Sequence, residues 1–340
     1  MPERDNRMVW DGRLGHYEVW YATLSHRASR TGFWIRHTLR APHPSTGGKP
    51  YAQLWFARFD SADPSRTFGV NRKHPIADLR TQAEPFSVAI GESELRHDGM
   101  HGAIEGAGHS ASWKLSWNPS WTTLRQLPSF AYKLAGRVDS LVLSPNPSLA
   151  IDGEIIVDGE RYLLEGDPGA QSHVWGRKHA YSWAWSHVGG FEGADDAMFE
   201  SLSIRLKRGQ VILPTLTMFT LQLDGEEIAL REPWALPVTR SDYGTGHYTL
   251  SGHTSDTRVE AKLSCRPEDM ILTEYLDPDG DPAFCHNTCA GSAEIVVKKR
   301  SPFVGRWRDH KTLRAEQLAH FEWGARAGDI VRVRKTHQSV

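Results

Sequence analysis

The chain has 340 residues, a formal net charge of −1 and a pI near 7, so it lacks the basic field that nucleic acid or anionic lipid would attract. Three cysteines (Cys265, Cys285 and Cys289) are too few and odd in number for a disulfide framework, which predicts a reducing, cytoplasmic location. The polar N-terminus and the lack of any apolar run of roughly 18 residues predict no stable membrane insertion. The length itself predicts about two domains.

Short strands and tight turns dominate the first part of the sequence. Asp-Gly pairs are typical of the positive-φ positions in hairpin turns. They begin here at Asp11, Asp98, Asp152, Asp158, Asp224 and Asp279. Alternating or apolar runs predict strands over residues 17–24, 32–39, 51–59, 86–90, 111–117, 152–157 and 161–165.

Residues 118–149 differ from this pattern because prolines interrupt them, and proline lacks the backbone N–H group that a β-strand donates to its neighbour. We expect a long connection that wraps the first sheet and returns the chain to it. After Gly189-Gly190 the pattern restarts, with strands predicted over residues 198–206, 211–223, 226–230, 246–250, 258–264, 271–275, 293–298 and 330–333. Residues 313–321 fit a helix or a strand. The sequence therefore predicts an all-β chain of two antiparallel barrels or sandwiches, at residues 1–190 and 191–340.

The stretch 173–188, just before this boundary, has an unusual alternation. On a strand, side chains alternate faces with a period of two. One face would carry the large groups, namely His173, Trp175, Arg177, His179, Tyr181, Trp183, Trp185 and His187. Such a face is either a packed core or the wall of a binding cavity, and the alternation leaves both open. Its position predicts the last strand or hairpin of the first barrel.

Metal and nucleotide sites are not indicated. Strand rise separates His173 from His179 by about 20 Å, too far for one ion. Residues 285–289 contain two cysteines and a histidine, but a zinc site would need further ligands, and no second ligand pair lies nearby in the sequence. Residues 277–281 are acidic but lack the spacing and terminal Glu of a calcium loop. No nucleophile elbow, dinucleotide fingerprint or phosphate-binding loop occurs. We therefore predict no metal and no cofactor.

Two further residues are candidates for a buried polar site. Glu200 follows Phe199 in an apolar strand, and a carboxyl group buried there would have a raised pKa and stay protonated, although the pattern also allows it to face water. His37 shares strand parity with Phe33 and Ile35, which predicts that it points into the first barrel. Imidazoles suit proton transfer, and tryptophan faces stabilise positive charge. Together these groups suit acid-promoted chemistry on an alkene.

Several short motifs add a family resemblance over nearly the whole chain. They are residues 32–36 (GFWIR), 54–59 (LWFARF), 152–159 (DGEIIVDG), 173–176 (HVWG), 199–206 (FESLSIRL) and 274–280 (EYLDPDG). With these the chain resembles the carotenoid 1,2-hydratase (hydroxyneurosporene synthase) and AttH-like family of tandem lipocalin-like proteins. Tocopherol cyclases and certain fungal Diels–Alderases are more distantly similar. The resemblance implies two lipocalin-like barrels.

The resemblance also implies roles for residues. A His-x-Trp pair followed by a Tyr/Asp pair is implicated in protonating the alkene in these hydratases. His173 and Trp175 match the first pair, while at the second the Tyr is absent and Glu200 replaces the Asp.

We therefore expect an enzyme of hydro-lyase or cyclase type, acting on an isoprenoid-like small molecule, in which His173 and Glu200 handle protons. Ligand contacts are expected from Trp175, Arg177, His179, Tyr181, Trp183, Trp185, His187, Phe199 and His37. Two alternatives remain open: a lipophile carrier without activity, and a pericyclase that only folds its substrate. The expected partner is a hydrophobic small molecule, and the sequence leaves the oligomeric state open.

Overall fold

Twelve strands of the N-terminal part form one sheet in the computed structural model, which describes residues 2–120, 122–134, 137–301 and 305–326. The strands are β1 (His16–His26), β2 (Thr31–Ala41), β3 (Tyr51–Asp60), β4 (Phe68–Pro75), β5 (Leu79–Ala83), β6 (Phe86–Ile90), β7 (Ser93–Arg96), β8 (Gly99–Gly106), β9 (His109–Trp117), β10 (Leu124–Arg125), β11 (Ser140–Val157) and β12 (Glu160–Gly176). Their order is β4-β3-β2-β1-β12-β11-β9-β8-β7-β6-β5, with β10 on β11. Because β4 packs against β8, this sheet curls into a nearly closed barrel.

A second sheet of ten strands follows. The strands after residue 181 are β13 (Ser182–Val188), β14 (Met198–Arg205), β15 (Lys207–Arg208), β16 (Val211–Ile212), β17 (Leu216–Leu223), β18 (Glu226–Leu230), β19 (Arg240–Gly244), β20 (His247–His253), β21 (Thr257–Ser264), β22 (Ile271–Leu276), β23 (Pro282–Arg300) and β24 (Trp307–Arg326). Their order is β18-β17-β14-β13-β24-β23-β21-β20-β19, with β22 on β23, while β15 and β16 form a separate ribbon. This sheet is a more open half-barrel.

Helical structure in the described part is short. It comprises α1 (Ser129–Lys133) and single 3₁₀ turns at Pro2–Asn6, Pro44–Thr46, Pro64–Arg66, Ile76–Asp78, Leu236–Val238 and Pro267–Asp269. None of the helices in the described ranges has the length and apolar character needed to cross a membrane.

The two barrels share one topology. In each, the first strand pairs with both the second and the last strand, so β1 between β2 and β12 corresponds to β13 between β14 and β24. Every strand pair of the described residues is antiparallel, and the predicted hairpin around Asp158-Gly159 joins β11 to β12. The prediction of an all-β chain with two tandem lipocalin-like antiparallel barrels is confirmed.

The stretch 173–188 is not a single strand, which corrects the predicted shared face. β12 ends at Gly176 and β13 begins at Ser182, so the chain passes from the first sheet to the second at residues 177–181. The change of sheet therefore falls about ten residues before Gly189-Gly190. The division into domains at residue 190 stays a prediction.

Other local expectations are also settled by the strands. Residues 313–321 belong to β24 and are not helical. The proline-interrupted connection 118–149 contains β10, α1 and the beginning of β11, and it does return to the first sheet. The predicted strand 330–333 lies outside the described residues.

Each barrel has its own core, and the outer faces of the two sheets pack together. Trp20, Phe33 and Phe56 belong to the first core, and Phe199 and Tyr248 to the second.

The two sheets approach each other closely at a glycine. A Cβ on Gly32 of β2 would lie 2.1 Å from the carbonyl oxygen of Cys289 in β23, so only glycine fits this approach. Beside it, aromatic residues of β2 and β3 pack against β22 and β23.

Candidate functional site

A cavity of about 400 Å³ lies between the outer faces of the two barrels. β1, β2 and β12 contribute to its wall from the first sheet, and β13, β14 and β17 contribute from the second. Residues 126–131 and 137–142 form another side. Small-molecule sites in proteins have volumes of roughly 300–1,000 Å³ and mostly apolar walls. The size and place of this cavity suit a small organic ligand.

Strand alternation explains how one strand supplies both a barrel core and the cavity wall. In β1, Trp20 and Ala22 point into the first core. Their neighbours Tyr17, Val19 and Tyr21 point outward and line the cavity. The ligand space is therefore built from the outer surfaces of the barrels, whose interiors are filled by side chains.

Aromatic rings form much of the wall. His179 stacks on Tyr17 with ring centroids 4.7 Å apart and on Tyr275 at 5.2 Å. Trp183 stacks on Tyr275 at 6.4 Å. The aromatic lining residues are Tyr17, Tyr21, Trp34, Phe130, Trp183, Trp185 and Tyr275. Their faces can stabilise positive charge that develops on a bound ligand.

Glu200 lies directly behind this wall, on the outward face of β14. It is 1% exposed, and Gln126 and Trp185, which both line the cavity, donate hydrogen bonds to its Oε1 atom. The Trp185 bond is 3.1 Å, and Ser144 donates a third bond at 2.8 Å. The Oε2 atom has no partner among the described residues. All three donors therefore act on one oxygen and leave the other to carry a proton.

The surroundings of Glu200 favour the neutral acid. Burial raises its pKa from 4.5 to about 7, against the opposing effect of the hydrogen bonds from Ser144, Trp185 and Gln126. A carboxyl group that is half protonated near neutral pH can donate a proton and take it back. Glu200 is thus equipped for acid–base chemistry at the edge of an apolar cavity.

His179 and Asp277 form a second polar pair. His179 lines the cavity, and its Nδ1 atom lies 2.6 Å from Oδ1 of Asp277. Asp277 also accepts a bond of 2.7 Å from Nη2 of Arg326. Burial acts to raise the pKa of Asp277, but its bonds and charge interactions with His179 and Arg326 outweigh burial and lower the pKa. A carboxylate on Nδ1 fixes the imidazole orientation and leaves Nε2 for proton exchange.

Glu322 and Arg36 place opposite charges on the same wall. Glu322 in β24 accepts hydrogen bonds from Trp183 Nε1 at 2.8 Å and from Asn287 Nδ2 at 3.1 Å. Arg36 in β2 lies with its guanidinium 4.6 Å from the centre of the Tyr275 ring. Both side chains line the cavity, which is therefore apolar with a few fixed polar groups.

His173 and Trp175 do not line this cavity. His173 is fully buried inside the first barrel, where Nε2 lies 2.9 Å from Oε1 of Glu18 and Nδ1 lies 2.8 Å from the carbonyl oxygen of Asp5. Its ring stacks on Trp20, and half-buried Trp175 packs against its other side. Both ring nitrogens of His173 are occupied, and His173 lies inside the first barrel whereas Glu200 lies behind the cavity wall, so the two predicted proton-handling residues stand in different surroundings.

A buried carboxylate completes this environment of His173. Burial acts to raise the pKa of Glu18, but hydrogen bonds from His16 and His173 outweigh burial and lower it to about 2. The backbone N–H groups of Val9 and Trp10 also donate to Glu18. His173 therefore helps to hold the N-terminal segment against the first barrel.

Three further predicted residues are buried but do not line the cavity. His37 points into the first barrel, as expected from parity, and contacts Ser93 Oγ at 3.0 Å. Phe199 lies in the second core, because its parity on β14 is opposite to that of Glu200. His187 faces the first sheet, where its Nε2 atom lies 2.8 Å from the carbonyl oxygen of Pro147. Their positions fit packing between and within the barrels.

The remaining predicted residues divide between rim and wall. Arg177 is exposed and pairs with Asp139 at 3.4 Å, and Tyr181 lies under the ammonium group of Lys207, 5.4 Å from its ring centre. Only His179, Trp183 and Trp185 of the predicted set line the cavity within the described ranges. No group of three or more metal-ligating side chains occurs in those ranges.

Several residues of this site have no equivalent in the sequence prediction. Arg36, Gln126, Asp277 and Glu322 belong to four separate segments that meet only in the folded chain. For Asp277 the sequence offers one clue, the acidic run 277–281, whose Asp279-Gly280 pair is typical of a hairpin turn.

Sequence comparison relates the chain to proteins of Mycobacterium tuberculosis. No family model matches the chain. It is 29% identical over 296 residues to the uncharacterized proteins Rv0493c and MT0513 of Mycobacterium tuberculosis strains H37Rv and CDC 1551, covering 86% of this chain and 84% of each relative.

Two solved structures share the architecture at low identity. A protein of Nitrosomonas europaea provisionally assigned as an AttH has a TM-score of 0.57 and 16% identity, covering 94% of this chain and 95% of that chain. Kievitone hydratase from Nectria haematococca has a TM-score of 0.53 and 8% identity, covering 91% and 89%. The chain is therefore similar to these proteins in its two-barrel fold.

Proposed function

We propose that this protein is an enzyme that protonates a carbon–carbon double bond of a hydrophobic small molecule held between the two barrels, and completes a hydration or a cyclisation. The observation that carries the proposal is Glu200. It is a buried carboxyl group with a pKa of about 7, an unpartnered oxygen, and two hydrogen-bond donors that line an aromatic cavity. Such a group is an acid at the pH where the protein would work.

In the proposed first step, Glu200 gives its proton to one alkene carbon, so that the π bond breaks and a C–H bond forms. The adjacent carbon becomes a cation, which the faces of Trp183, Trp185 and Tyr275 stabilise. Because Glu200 lies one side chain behind the wall, the Gln126 side chain must first move away from Oε1, and the carboxyl group must then turn its protonated oxygen toward the ligand. The apolar part of the wall keeps much of the water around the ligand away from the cation.

In the second step, a nucleophile captures the cation. For hydration, a water molecule forms the C–O bond while His179, oriented by Asp277, takes its proton. For cyclisation, a group of the substrate forms the new bond. In either case His179 takes the proton that the nucleophile loses and releases it to solvent, and solvent returns one proton to Glu200, so the net reaction is addition of water or an isomerisation. His179 thus takes the base role, whereas His173 stays inside the first barrel.

The fold is consistent with this chemistry, since one protein of the same architecture is named kievitone hydratase. An isoprenoid or prenyl-bearing ligand suits the cavity because its wall is apolar and aromatic. These points support the proposal, but its main support is the buried carboxyl group of Glu200 and its raised pKa.

The test is turnover of linear isoprenoids and prenylated phenols in deuterium oxide and in heavy-oxygen water, followed by mass spectrometry. The wild-type protein should place solvent deuterium on carbon, with heavy oxygen in a hydration product. Glu200→Gln should lose turnover and keep ligand binding, while Glu165→Gln, at an exposed position, should behave as the wild type. Product without solvent hydrogen would instead indicate a pericyclase, and binding without turnover a carrier.

A further inference from the structure

Arg36 is a buried cation on the cavity wall. It lies on the outward face of β2, between Ile35 and His37, which point into the first barrel. The residue is only 6% exposed, yet it lines the cavity. Its guanidinium lies 4.6 Å from the ring centre of Tyr275, and 5.5 and 5.6 Å from those of Trp34 and Trp55. Three rings therefore hold this group in place.

The terminal nitrogens of Arg36 have no protein partner in the described part of the chain. Nε donates to Thr38 Oγ1 at 2.9 Å, but Nη1 and Nη2 make no hydrogen bond there, and no carboxylate lies within 4.0 Å. The other arginines that are buried among the described residues are hydrogen-bonded: Arg40 donates from Nη2 to the carbonyl oxygen of Asp277 at 2.8 Å, and Arg58 donates to the carbonyl oxygen of Arg66 at 2.9 Å.

An unpaired buried charge is costly, because the ion loses its hydration. Contacts with aromatic faces offset part of this cost but leave the N–H groups unused. Glu322 lines the same cavity, but its carboxylate accepts bonds from Trp183 and Asn287 and is not paired with Arg36. The unused donors are therefore available to a ligand.

We propose that Arg36 is an anion subsite, and that the natural ligand is an amphipathic carboxylate with a hydrophobic, unsaturated body. The planar guanidinium fork matches a carboxylate in two parallel hydrogen bonds. The apolar wall on the other sides of the cavity accepts the body of the ligand. This inference rests on the proposed function in that both use the same cavity, and it names the substrate class.

The test compares retinoate with retinol, which share an isoprenoid body and differ in the carboxylate. Dissociation constants are measured by equilibrium dialysis near pH 8 for the wild type, Arg36→Met and Arg36→Lys. Arg58→Met is the matched control, since Arg58 is also buried and lies 5.3 Å over the Phe68 ring but does not line the cavity. Glu200→Gln is measured alongside.

The wild type should bind retinoate about tenfold or more tightly than retinol, as expected for charge-assisted hydrogen bonds. Arg36→Met should reduce retinoate affinity to the level of retinol without changing retinol affinity, and Arg36→Lys should keep part of the preference. Arg58→Met and Glu200→Gln should keep all of it.

The proposal is overturned if the wild type shows no preference, if it binds neither probe, or if Arg36→Met weakens both probes equally. If Arg36→Met does not fold, the test rests on the wild type and Arg36→Lys. An Arg36→Lys variant that prefers retinoate over retinol as strongly as the wild type would contradict recognition by the planar guanidinium group. Binding requires no turnover. If only the proposed function is wrong, no product will carry deuterium or heavy oxygen from the solvent, while the preference for retinoate over retinol will remain.

Discussion

Replacing Glu200 by glutamine should change how the stability of the protein depends on pH. The amide has nearly the shape of the neutral acid, and its oxygen can accept the bonds from Gln126, Ser144 and Trp185. The difference in the free energy of unfolding between the variant and the wild type should therefore be small at low pH, where Glu200 is protonated in both the folded and unfolded states. It should grow as the wild-type carboxyl is forced to ionise.

The size of this effect follows from the pKa of Glu200. Its pKa is raised from 4.5 to about 7, and one pKa unit corresponds to about 1.4 kcal/mol. A raised pKa gives the folded wild type stability that is complete below 4.5 and is lost as pH rises to about 7. Between about pH 5 and 8 the wild type should lose roughly 2–3 kcal/mol relative to Glu200→Gln.

The assay is urea unfolding of both proteins at several pH values, with Glu165→Gln as an exposed control. Turnover provides the matching kinetic readout: wild-type kcat should fall above about pH 7, because only the protonated acid can start the reaction. A stability difference that does not vary with pH would refute the argument that burial keeps this carboxyl neutral. Unreduced turnover of Glu200→Gln would refute its catalytic role.

Three more predictions follow from other groups. His179→Gln and Asp277→Asn should each lower kcat about a hundredfold or more while keeping ligand affinity, whereas His247→Gln, which alters an exposed His–Asp pair, should leave turnover unchanged. His173→Ala should cost about 3 kcal/mol in urea unfolding because Glu18 stays buried without its partner, and a large loss of kcat in the folded variant would contradict its placement away from the ligand. Burial lowers the pKa of His37, His187 and His286 to about 4, so their contribution to stability is present above pH 6.5 and lost as pH falls toward 4, and the Tm should drop across that interval in differential scanning fluorimetry.

The fold was accessible to sequence analysis because its determinants are local. Asp-Gly turns and the period-two alternation act over a few residues, so the sequence predicts hairpins such as the one at Asp158-Gly159. The break at 177–181 has no such signal, because large and small residues continue to alternate through it. Alternation alone does not show that a strand has ended and a new sheet has begun.

The site was less accessible because it is assembled from distant segments. Trp183, Trp185 and Glu200 were identified from their strand, since their polar and aromatic character stands out in an apolar run. Arg36 and Glu322 are separated by nearly the whole chain, and their shared cavity depends on how the two barrels pack. Gln126 lies in a proline-interrupted segment, and no periodic pattern indicates that it would cover a carboxyl group.

The alternation in β1 and β13 separates two kinds of position along one strand. Inward positions such as Trp20 and Ala184 fill a barrel core, whereas outward positions such as Tyr21 and Trp185 face the cavity. Substitutions at alternate positions can therefore exchange one ligand for another without repacking either core. An architecture of this kind can diversify in chemistry while its scaffold stays unchanged, which fits the retention of the two-barrel fold in proteins of 8% and 16% identity.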